Sequence, residues 1–388
     1  MSSGIPHMQS RHSAPTSDDI LDCLHFWLDT PSSCVQNRLC YLSLTLRKAS
    51  IMNEMKKYRV CIVGLTGIGS GRPLADGGAG YGAIVPHSHA AAYSALPETE
   101  VAGACDLRRD RLDQFKEVWL VSLPALKCYT DYQQMIDELK PDILSVVTSD
   151  NRHADIVVFA ANSGVRGIFC EKPIATTLAD ADRMIETVEQ NGVAMTINHS
   201  RRWRPIFRPV LDELNKGSIG QLQRIVCSFG GPRAMLFRNG THMVDTMCMF
   251  ADSEPQWVFA ELEEGYEDYW PYQGDGGRTP ELEPAVSGYI HFKNGVRAFY
   301  NNAKRMFGRR DWELFGTTGC ITVSDQHAFI ETENVGKKID CPHNTYVDSP
   351  AAIRELIGVM EKGGETCSPP SQGRRVLEVL LAFMASQR

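Results

Sequence analysis

Lys172 is the residue of this sequence that is best placed to do chemistry. It lies in the segment CEKP, directly after the apolar run 165–170, which predicts a strand. Ligands of open parallel sheets bind beyond the carboxyl ends of the strands. Burial there would lower the pKa of the lysine, so that it could transfer protons at neutral pH. Lys172 is therefore a candidate catalytic residue, and a surface lysine before Pro173 is the alternative.

A glycine-rich loop follows the first strand-like run. Residues 58–63 are mostly apolar, and the sequence continues GLTGIG. A dinucleotide pyrophosphate needs a tight turn with backbone amides at a helix N-terminus, and glycine permits this because it has no Cβ. Thr66 departs from the usual G-x-G-x-x-G spacing, and such clusters also form plain turns. The predicted cofactor contacts in the loop are Gly64, Thr66, Gly67, Ile68 and Gly69.

Asp106 ends the second strand-like run, residues 100–106. An acidic residue at this place accepts hydrogen bonds from the ribose hydroxyls and favours NAD over NADP. The usual interval from the loop is ~20 residues, and an insertion at 70–86 accounts for the longer interval here. Arg108 and Arg109 could instead contact a 2′-phosphate. NAD is therefore the predicted cofactor, NADP stays open, and a solvated carboxylate is the alternative for Asp106.

The elements around these residues alternate between strands and helices. Apolar runs predict strands at 58–63, 100–106, 142–148, 165–170 and 193–198, and helical patterns lie at 132–139, 153–162 and 178–190. This alternation predicts βαβ units and a parallel sheet that helices cover on both faces.

The second half of the chain has a different rhythm. From about residue 219, strand-like segments follow one another at 222–229, 257–263, 288–292, 296–301, 312–315 and 320–323. Turns such as Asn294-Gly295 separate several of them, which is typical of hairpins. Two helices are predicted near 351–362 and 373–386. The pattern predicts a largely antiparallel sheet.

Length and composition narrow the function classes. A chain of 388 residues is long enough for two domains, and a net charge of −7 without a basic run argues against a nucleic-acid partner. No stretch reaches the ~18 apolar residues of a membrane span, and no secretion signal is evident, so a cytoplasmic protein without a membrane partner is predicted. The 12 cysteines contain no C-x-x-C pair, so no metal site is predicted.

Residues 1–56 lack a sustained hydrophobic period. They are predicted to be a poorly ordered N-terminal extension. Met52 and Met55 lie just before the first strand, so whether the extension belongs to the native protein stays open.

Several segments together resemble the Gfo/Idh/MocA family, the group of glucose–fructose oxidoreductase and inositol dehydrogenase. The sequence EKP at 171–173 is the most specific match, and HAAAY at 89–93 and ELFGTTG at 313–319 are similar to other family segments. Residues 148–153 resemble the pattern Thr-Pro-Asn-x-x-His, with Ser149 and Asp150 as departures. NGTHMVD at 239–245 resembles Gly-x-His-x-x-Asp. The resemblance covers residues 58 to about 387.

The resemblance implies an α/β fold with two domains. An N-terminal Rossmann domain, with a doubly wound parallel sheet, would occupy residues 57–198. A C-terminal α+β domain with a large open, mostly antiparallel sheet would occupy 199–388, bind the substrate and build a homo-oligomer, either a dimer or a tetramer. The last helices could pack back on the Rossmann domain.

The resemblance also implies roles for individual residues. His242 would be the catalytic histidine, which takes the proton of the reacting hydroxyl, and a hydrogen-bonded core histidine is the alternative. Asp245 could orient its imidazole or be structural. Further predicted cofactor contacts are Thr148, His153, Glu171 and Lys172. Many members carry a carboxylate or an amide where this chain has Arg238, which could retune Lys172 or recognise an acidic substrate group.

Two other segments could contact a substrate. Trp203 could stack on a sugar face, while Arg204 and its neighbours bond hydroxyls or a carboxylate; a helix N-terminus with Trp203 in the core is the alternative. The loop 265–280 combines aromatic rings with carboxylates, which suits either a carbohydrate or a subunit contact.

The implied function is an NAD(P)-dependent dehydrogenase that exchanges a hydride with a hydroxyl-bearing carbon of a sugar, polyol or related compound. Two alternatives stay open. The first is a redox-neutral glycosidase or lyase that acts through a transient keto-sugar. The second is a non-catalytic dinucleotide sensor, although a sensor has no need of Lys172 and His242.

Overall fold

The computed structural model describes residues 57–71, 86, 88–123, 125–274, 279–334, 336–342 and 346–387. The predicted extension at 1–56 and most of the predicted insertion at 70–86 lie outside these ranges.

The first sheet is parallel throughout. Its strands are β1 (Tyr58–Val63), β2 (Thr99–Cys105), β3 (Lys127–Tyr129), β4 (Ile143–Val146), β5 (Gly167–Cys170) and β6 (Ala194–Ile197). They lie in the order β3-β2-β1-β4-β5-β6, so the direction of winding reverses between β1 and β4. Ligands of doubly wound sheets bind at such a reversal. The apolar runs of the sequence arise because most residues of these strands are buried on both faces.

Six helices connect these strands or follow them. They are α1 (Gly67–Ser70), α2 (His89–Ser94), α3 (Arg109–Trp119), α4 (Tyr132–Leu139), α5 (His153–Asn162) and α6 (Leu178–Gln190). N-cap side chains stabilise the first turns of two helices that begin at the predicted residues. Asp131 accepts from two amides at the start of α4, and Thr177 accepts from the amide of Asp180 at the start of α6.

The second sheet has eight strands. They are β7 (Leu222–Gly230), β8 (Pro255–Leu262), β9 (Val286–Phe292), β10 (Arg297–Ala303), β11 (Arg310–Gly316), β12 (Gly319–Ser324), β13 (Ala328–Thr332) and β14 (Gly336–Ile339). Their order is β14-β13-β12-β11-β7-β10-β9-β8, and every pair is antiparallel except β7 with β10. The predicted fold class is therefore confirmed, while the domain limits themselves stay predictions.

Four further helices pack on the sheets. They are α7 (Phe207–Asn215), α8 (Gly240–Ala251), α9 (Ser349–Lys362) and α10 (Pro370–Ser386). Helices α7, α8 and α10 contact strands of the second sheet, and α9 contacts β5 and β6 of the first. No helix in the described ranges is both long and apolar enough to cross a bilayer.

Candidate functional site

A cavity of about 1090 Å³ lies beyond the carboxyl ends of β1, β2 and β4. Of the predicted cofactor residues, Gly64, Thr66, Gly67, Asp106 and Thr148 line it. Gly64 has φ +97°, and a Cβ on it would lie 2.4 Å from the carbonyl oxygen of Val147. Only glycine fits this turn without displacing the backbone. The loop thus leaves the space next to its amides open for a phosphate group.

Asp106 lies at the edge of this cavity, with 8% of its surface exposed. Its carboxylate accepts hydrogen bonds from the backbone amides of Leu65 and Arg108, each at 3.0 Å, and lies 3.7 Å from the guanidinium of Arg111. A carboxylate has about four acceptor positions. It can therefore still accept from ribose hydroxyls, and the glycine turn together with this acid fits an adenine dinucleotide.

Two predicted cofactor residues do not line this cavity or the neighbouring one. His153 is fully buried, with Nδ1 3.1 Å from the carbonyl oxygen of Pro173 and Nε2 3.3 Å from that of Thr148. It therefore joins the loop after β4 to the loop after β5, without reaching the cavity surface. Gly69 is buried, and its Cβ would lie 2.3 Å from the carbonyl oxygen of Gly64, so it is needed for close packing of the turn. Both residues therefore support the loops that line the cavity without contacting the cavity themselves.

A second cavity, of about 440 Å³, contains the predicted catalytic residues. Lys172 and His242 both line it, together with Glu171, Ile68, Arg204 and Arg238. Arg238 lines the first cavity as well, so this residue lies where the two cavities meet.

Lys172 is held at the end of β5 with one tenth of its side chain exposed. Its Nζ donates to the carbonyl oxygen of Arg238 at 2.9 Å and lies 3.8 Å from Oε2 of Glu171. Burial lowers the pKa of Lys172, and the nearby Arg238 guanidinium lowers it further, against the opposing effect of Glu171. The amine is thus closer to releasing its proton at neutral pH than an exposed lysine.

Glu171 is the carboxylate that pairs with Lys172. It lies 3.0 Å from Nε2 of His89 and accepts from Nδ2 of Asn198 at 2.7 Å. Burial would raise its pKa, but the hydrogen bond to His89 and the charge of Lys172 outweigh burial and hold that pKa well below the usual range. His89 in turn lies 2.6 Å from the hydroxyl of Ser145. A buried hydrogen-bond network therefore holds the negative carboxylate of Glu171 next to Lys172.

His242 lies in the first turn of α8 and is uncharged at neutral pH. Burial lowers its pKa well below the usual range, and the charge of Lys172 lowers it further. Its Nδ1 is buried without a hydrogen-bond partner among the described residues. Since His242 lines the cavity, its uncharged imidazole can accept a proton there.

Asp245 and Trp203 both contact residues outside the two cavities. The carboxylate of Asp245 forms a two-pronged ion pair with Arg202, with contacts of 2.7–3.0 Å, and is 3.5 Å from His199. Among the described residues, no hydrogen bond joins Asp245 to the ring of His242. Trp203 donates through Nε1 to Glu355 at 2.8 Å and packs against the core. Neither residue lines the cavities, so direct substrate contact by either is not supported by its position.

Arg204 does line the second cavity, as expected for a substrate residue. Its guanidinium is already engaged, at 2.7 Å from Asp325 and 3.1 Å from Asp348. It therefore joins the loop after β12 to the start of α9 along one wall of the cavity.

Sequence reasoning missed a buried group around Arg238. Oε1 of Glu283 accepts hydrogen bonds from the amides of Phe237 and Arg238, the second at 2.8 Å. Tyr272 stacks on Phe237 with ring centroids 3.6 Å apart and donates to Asp150. No local pattern marks Glu283, because its partners lie 45 and 46 residues away along the chain.

Glu283→Gln should flatten the dependence of stability on pH. Burial raises the pKa of Glu283 to about 7 in the folded protein from 4.5. The folded state therefore holds this proton more tightly than the unfolded chain does. That stabilisation is complete below the unfolded pKa and is lost as the pH rises through the folded pKa; it amounts to about 3 kcal/mol. Glutamine keeps the accepting oxygen and does not ionise.

Urea unfolding between about pH 5 and pH 8 measures this effect, with the exposed Glu261→Gln variant as the control. We expect the wild type and the control to lose stability relative to Glu283→Gln as the pH rises. Parallel curves for all three proteins would contradict the expectation.

Comparisons with known proteins agree with this geometry. Residues 77–199 match the model of an oxidoreductase family with an NAD-binding Rossmann fold, and residues 207–322 match the GFO/IDH/MocA C-terminal domain. A myo-inositol 2-dehydrogenase of Thermotoga maritima is 27% identical over 60% of this chain and 70% of its own length. A D-apiose dehydrogenase of Paraburkholderia graminis is 30% identical, over 34% of each chain.

Solved structures share the fold over a longer stretch. An aldose-aldose oxidoreductase of Caulobacter crescentus, complexed with glycerol, superposes with a TM-score of 0.69 at 17% identity, over 86% of this chain and 98% of its own. The two family models match consecutive segments, which hold most of the strands of each sheet. The chain therefore belongs to the Gfo/Idh/MocA family of NAD(P)-dependent oxidoreductases.

Proposed function

We propose that this protein oxidises a hydroxyl-bearing carbon of a sugar, a polyol or a related compound. The observation that carries the proposal is the shared cavity of Lys172 and His242, which meets the dinucleotide cavity at Arg238. A proton acceptor and a hydrogen-bond donor thus lie next to the dinucleotide cavity. The alternative of a dinucleotide sensor gives no reason for this arrangement.

The residues of the dinucleotide cavity have distinct tasks in this proposal. The amides of the glycine loop around Thr66 and Gly67 bind the pyrophosphate, and Asp106 accepts from the ribose hydroxyls. The acid favours NAD. Bound NAD⁺ supplies one chemical property, the acceptance of a hydride from the carbinol carbon.

The remaining chemistry is proton transfer by the protein. Lys172 Nζ donates a hydrogen bond to the reacting hydroxyl and fixes its orientation. As the hydride leaves carbon, the hydroxyl proton must leave oxygen, and His242 takes it. Because Nδ1 is buried, we assign this step to Nε2. Glu171 keeps Lys172 in place throughout and does not exchange protons with the substrate.

The test follows two products together. Purified protein receives limiting NAD⁺ and a panel of sugars, polyols and aryl glycosides, while NADH and free aglycone are recorded. We expect NADH to accumulate in proportion to an oxidised sugar or polyol. Release of aglycone over many turnovers without net NADH would contradict the proposal and indicate redox-neutral glycoside cleavage.

The outer face of the second sheet is the proposed contact between subunits. Trp257 is 51% exposed and stacks on His291, with ring centroids 5.3 Å apart. Phe259 of β8 and Phe299 of β10 are also exposed, and both lie opposite Tyr289 of β9. Exposed apolar patches of this kind mark interaction sites. Sedimentation should show a dimer or a tetramer that Phe259→Glu dissociates. A monomeric wild type would refute this contact.

A further inference from the structure

Arg238 is a cation of the second cavity whose guanidinium has no partner among the described residues. The described lining holds four cationic side chains and three carboxylates, namely Lys172, Arg204, Arg233 and Arg238 with Glu171, Asp325 and Asp348. Each carboxylate already has a cation, because Glu171 faces Lys172 and both aspartates contact Arg204. Asp325 contacts Arg201 as well. Hydrogen bonds hold the backbone of Arg238, but none of the described residues pairs with its guanidinium.

The backbone of Arg238 is fixed on both sides. Its amide donates to Glu283 at 2.8 Å, and its carbonyl oxygen accepts from Lys172 at 2.9 Å. The preceding Phe237 is fully buried and stacked on Tyr272. The fixed backbone limits the part of the cavity that the guanidinium can reach, which favours recognition at one place.

The start of helix α8 is a second feature that favours an anion in this cavity. Helix α8, twelve residues long, begins with Asn239 as its N-cap, and both Asn239 and His242 line the cavity. The side chain of Asn239 does not cap the helix, since it donates to the carbonyl oxygen of Arg233. The positive end of the helix dipole therefore lies at the cavity surface beside Arg238 and favours an anion there.

We propose that the substrate is a polyhydroxylated acid whose carboxylate pairs with Arg238. This inference rests on the proposed function and names its substrate class. The planar fork of a guanidinium matches a carboxylate with two parallel hydrogen bonds. Because Arg238, Lys172 and His242 line one cavity, the pairing would hold a hydroxyl of the same molecule against the proton-transfer residues.

The test compares acids with neutral partners of similar shape. The pairs are D-glucuronate with D-glucose, D-galacturonate with D-galactose and D-gluconate with D-glucitol. Calorimetry measures the binding of each to the protein–NADH complex, and initial rates with NAD⁺ are measured beside it. We expect at least one acid to bind tenfold or more tightly than its partner, and Arg238→Gln to weaken that acid by roughly 10–100-fold.

Two variants and one further measurement complete the design. Arg238→Lys keeps the charge without the fork and should recover part of the preference. Arg208→Gln, at an exposed position on α7, should leave it unchanged. The Kd of NADH distinguishes a substrate carboxylate from a cofactor phosphate as the anion that Arg238 binds. If Arg238→Gln weakens NADH binding tenfold and keeps the preference for the acid, Arg238 binds the cofactor and the proposal fails.

The remaining outcomes are also decisive. The proposal is overturned if no acid binds more tightly than its neutral partner, even when neutral sugars are oxidised, and the proposed function then stands. If an acid binds through Arg238 but none of the compounds is oxidised, the binding site stands and the proposed function fails.

Discussion

Replacement of Lys172 by methionine should reduce kcat by about three orders of magnitude while the Kd for NADH stays within a few-fold. General acid–base groups contribute roughly 10²–10⁴ to the rate, and Lys172 would act both as a hydrogen-bond donor and through its positive charge. The residues that line the dinucleotide cavity remain untouched by this change. Stopped-flow turnover and fluorescence titration with NADH measure the two quantities.

Stability must be separated from chemistry in this experiment. Lys172→Met leaves the carboxylate of Glu171 buried without its cation, although His89 and Asn198 still contact it. The double variant Glu171→Gln/Lys172→Met removes that unpaired charge and should recover part of the lost thermal stability without recovering turnover. Lys216→Met, at an exposed lysine, is the control. If the single variant retains more than about one tenth of the activity, Lys172 is not a catalytic residue.

The fold was predictable where short-range patterns are strong. Strand β1 and helices α4, α5 and α6 begin and end at the predicted residues. Each helix combines a cap or a flanking turn with apolar residues on its buried side, so the local signal agrees with the packing. The alternation of these elements then determines a parallel sheet with few competing topologies.

Helix α8 shows why other elements were not predicted outright. Its sequence GTHMVDTMCMFA contains glycine, two threonines and few charges, and ten of its twelve residues are buried. A helix buried on nearly all sides has no polar face and therefore no amphipathic period. Strand β3, with three residues at the edge of its sheet, was missed because so short a run cannot be told from a loop.

The site was predictable to the extent that motifs carry it. Lys172 stands out because it follows a strand, and the glycine loop because its backbone needs glycine. Glu283 and Tyr272 act through contacts that join distant segments, and Tyr272 lies 122 residues from Asp150. By its chemical type, Trp203 suits either a substrate contact or a core position, and its indole donates to Glu355, 152 residues away. Residue type alone does not reveal such partners.

Asp245→Ala should unfold the protein more readily without abolishing its chemistry. The carboxylate and its partner Arg202 are 1% and 8% exposed, so loss of the acid leaves a buried cation unpaired. Breaking such a pair from one side costs about 3–5 kcal/mol, which corresponds to a drop in Tm of roughly 10 °C. Asp212→Ala, which removes half of an exposed pair with Arg208, should cost less than about 1 kcal/mol.

The activity of Asp245→Ala distinguishes a structural carboxylate from a catalytic one. Burial lowers the pKa of His199 to about 4, so that ring is neutral and does not depend on Asp245 for a counter-ion. His242 makes no contact with Asp245 among its hydrogen bonds in the described residues. We therefore expect the folded fraction, assayed well below its Tm, to keep kcat within about tenfold of the wild type and the pH profile unshifted. A loss of kcat with unchanged Tm would mean that Asp245 acts on the histidine after all.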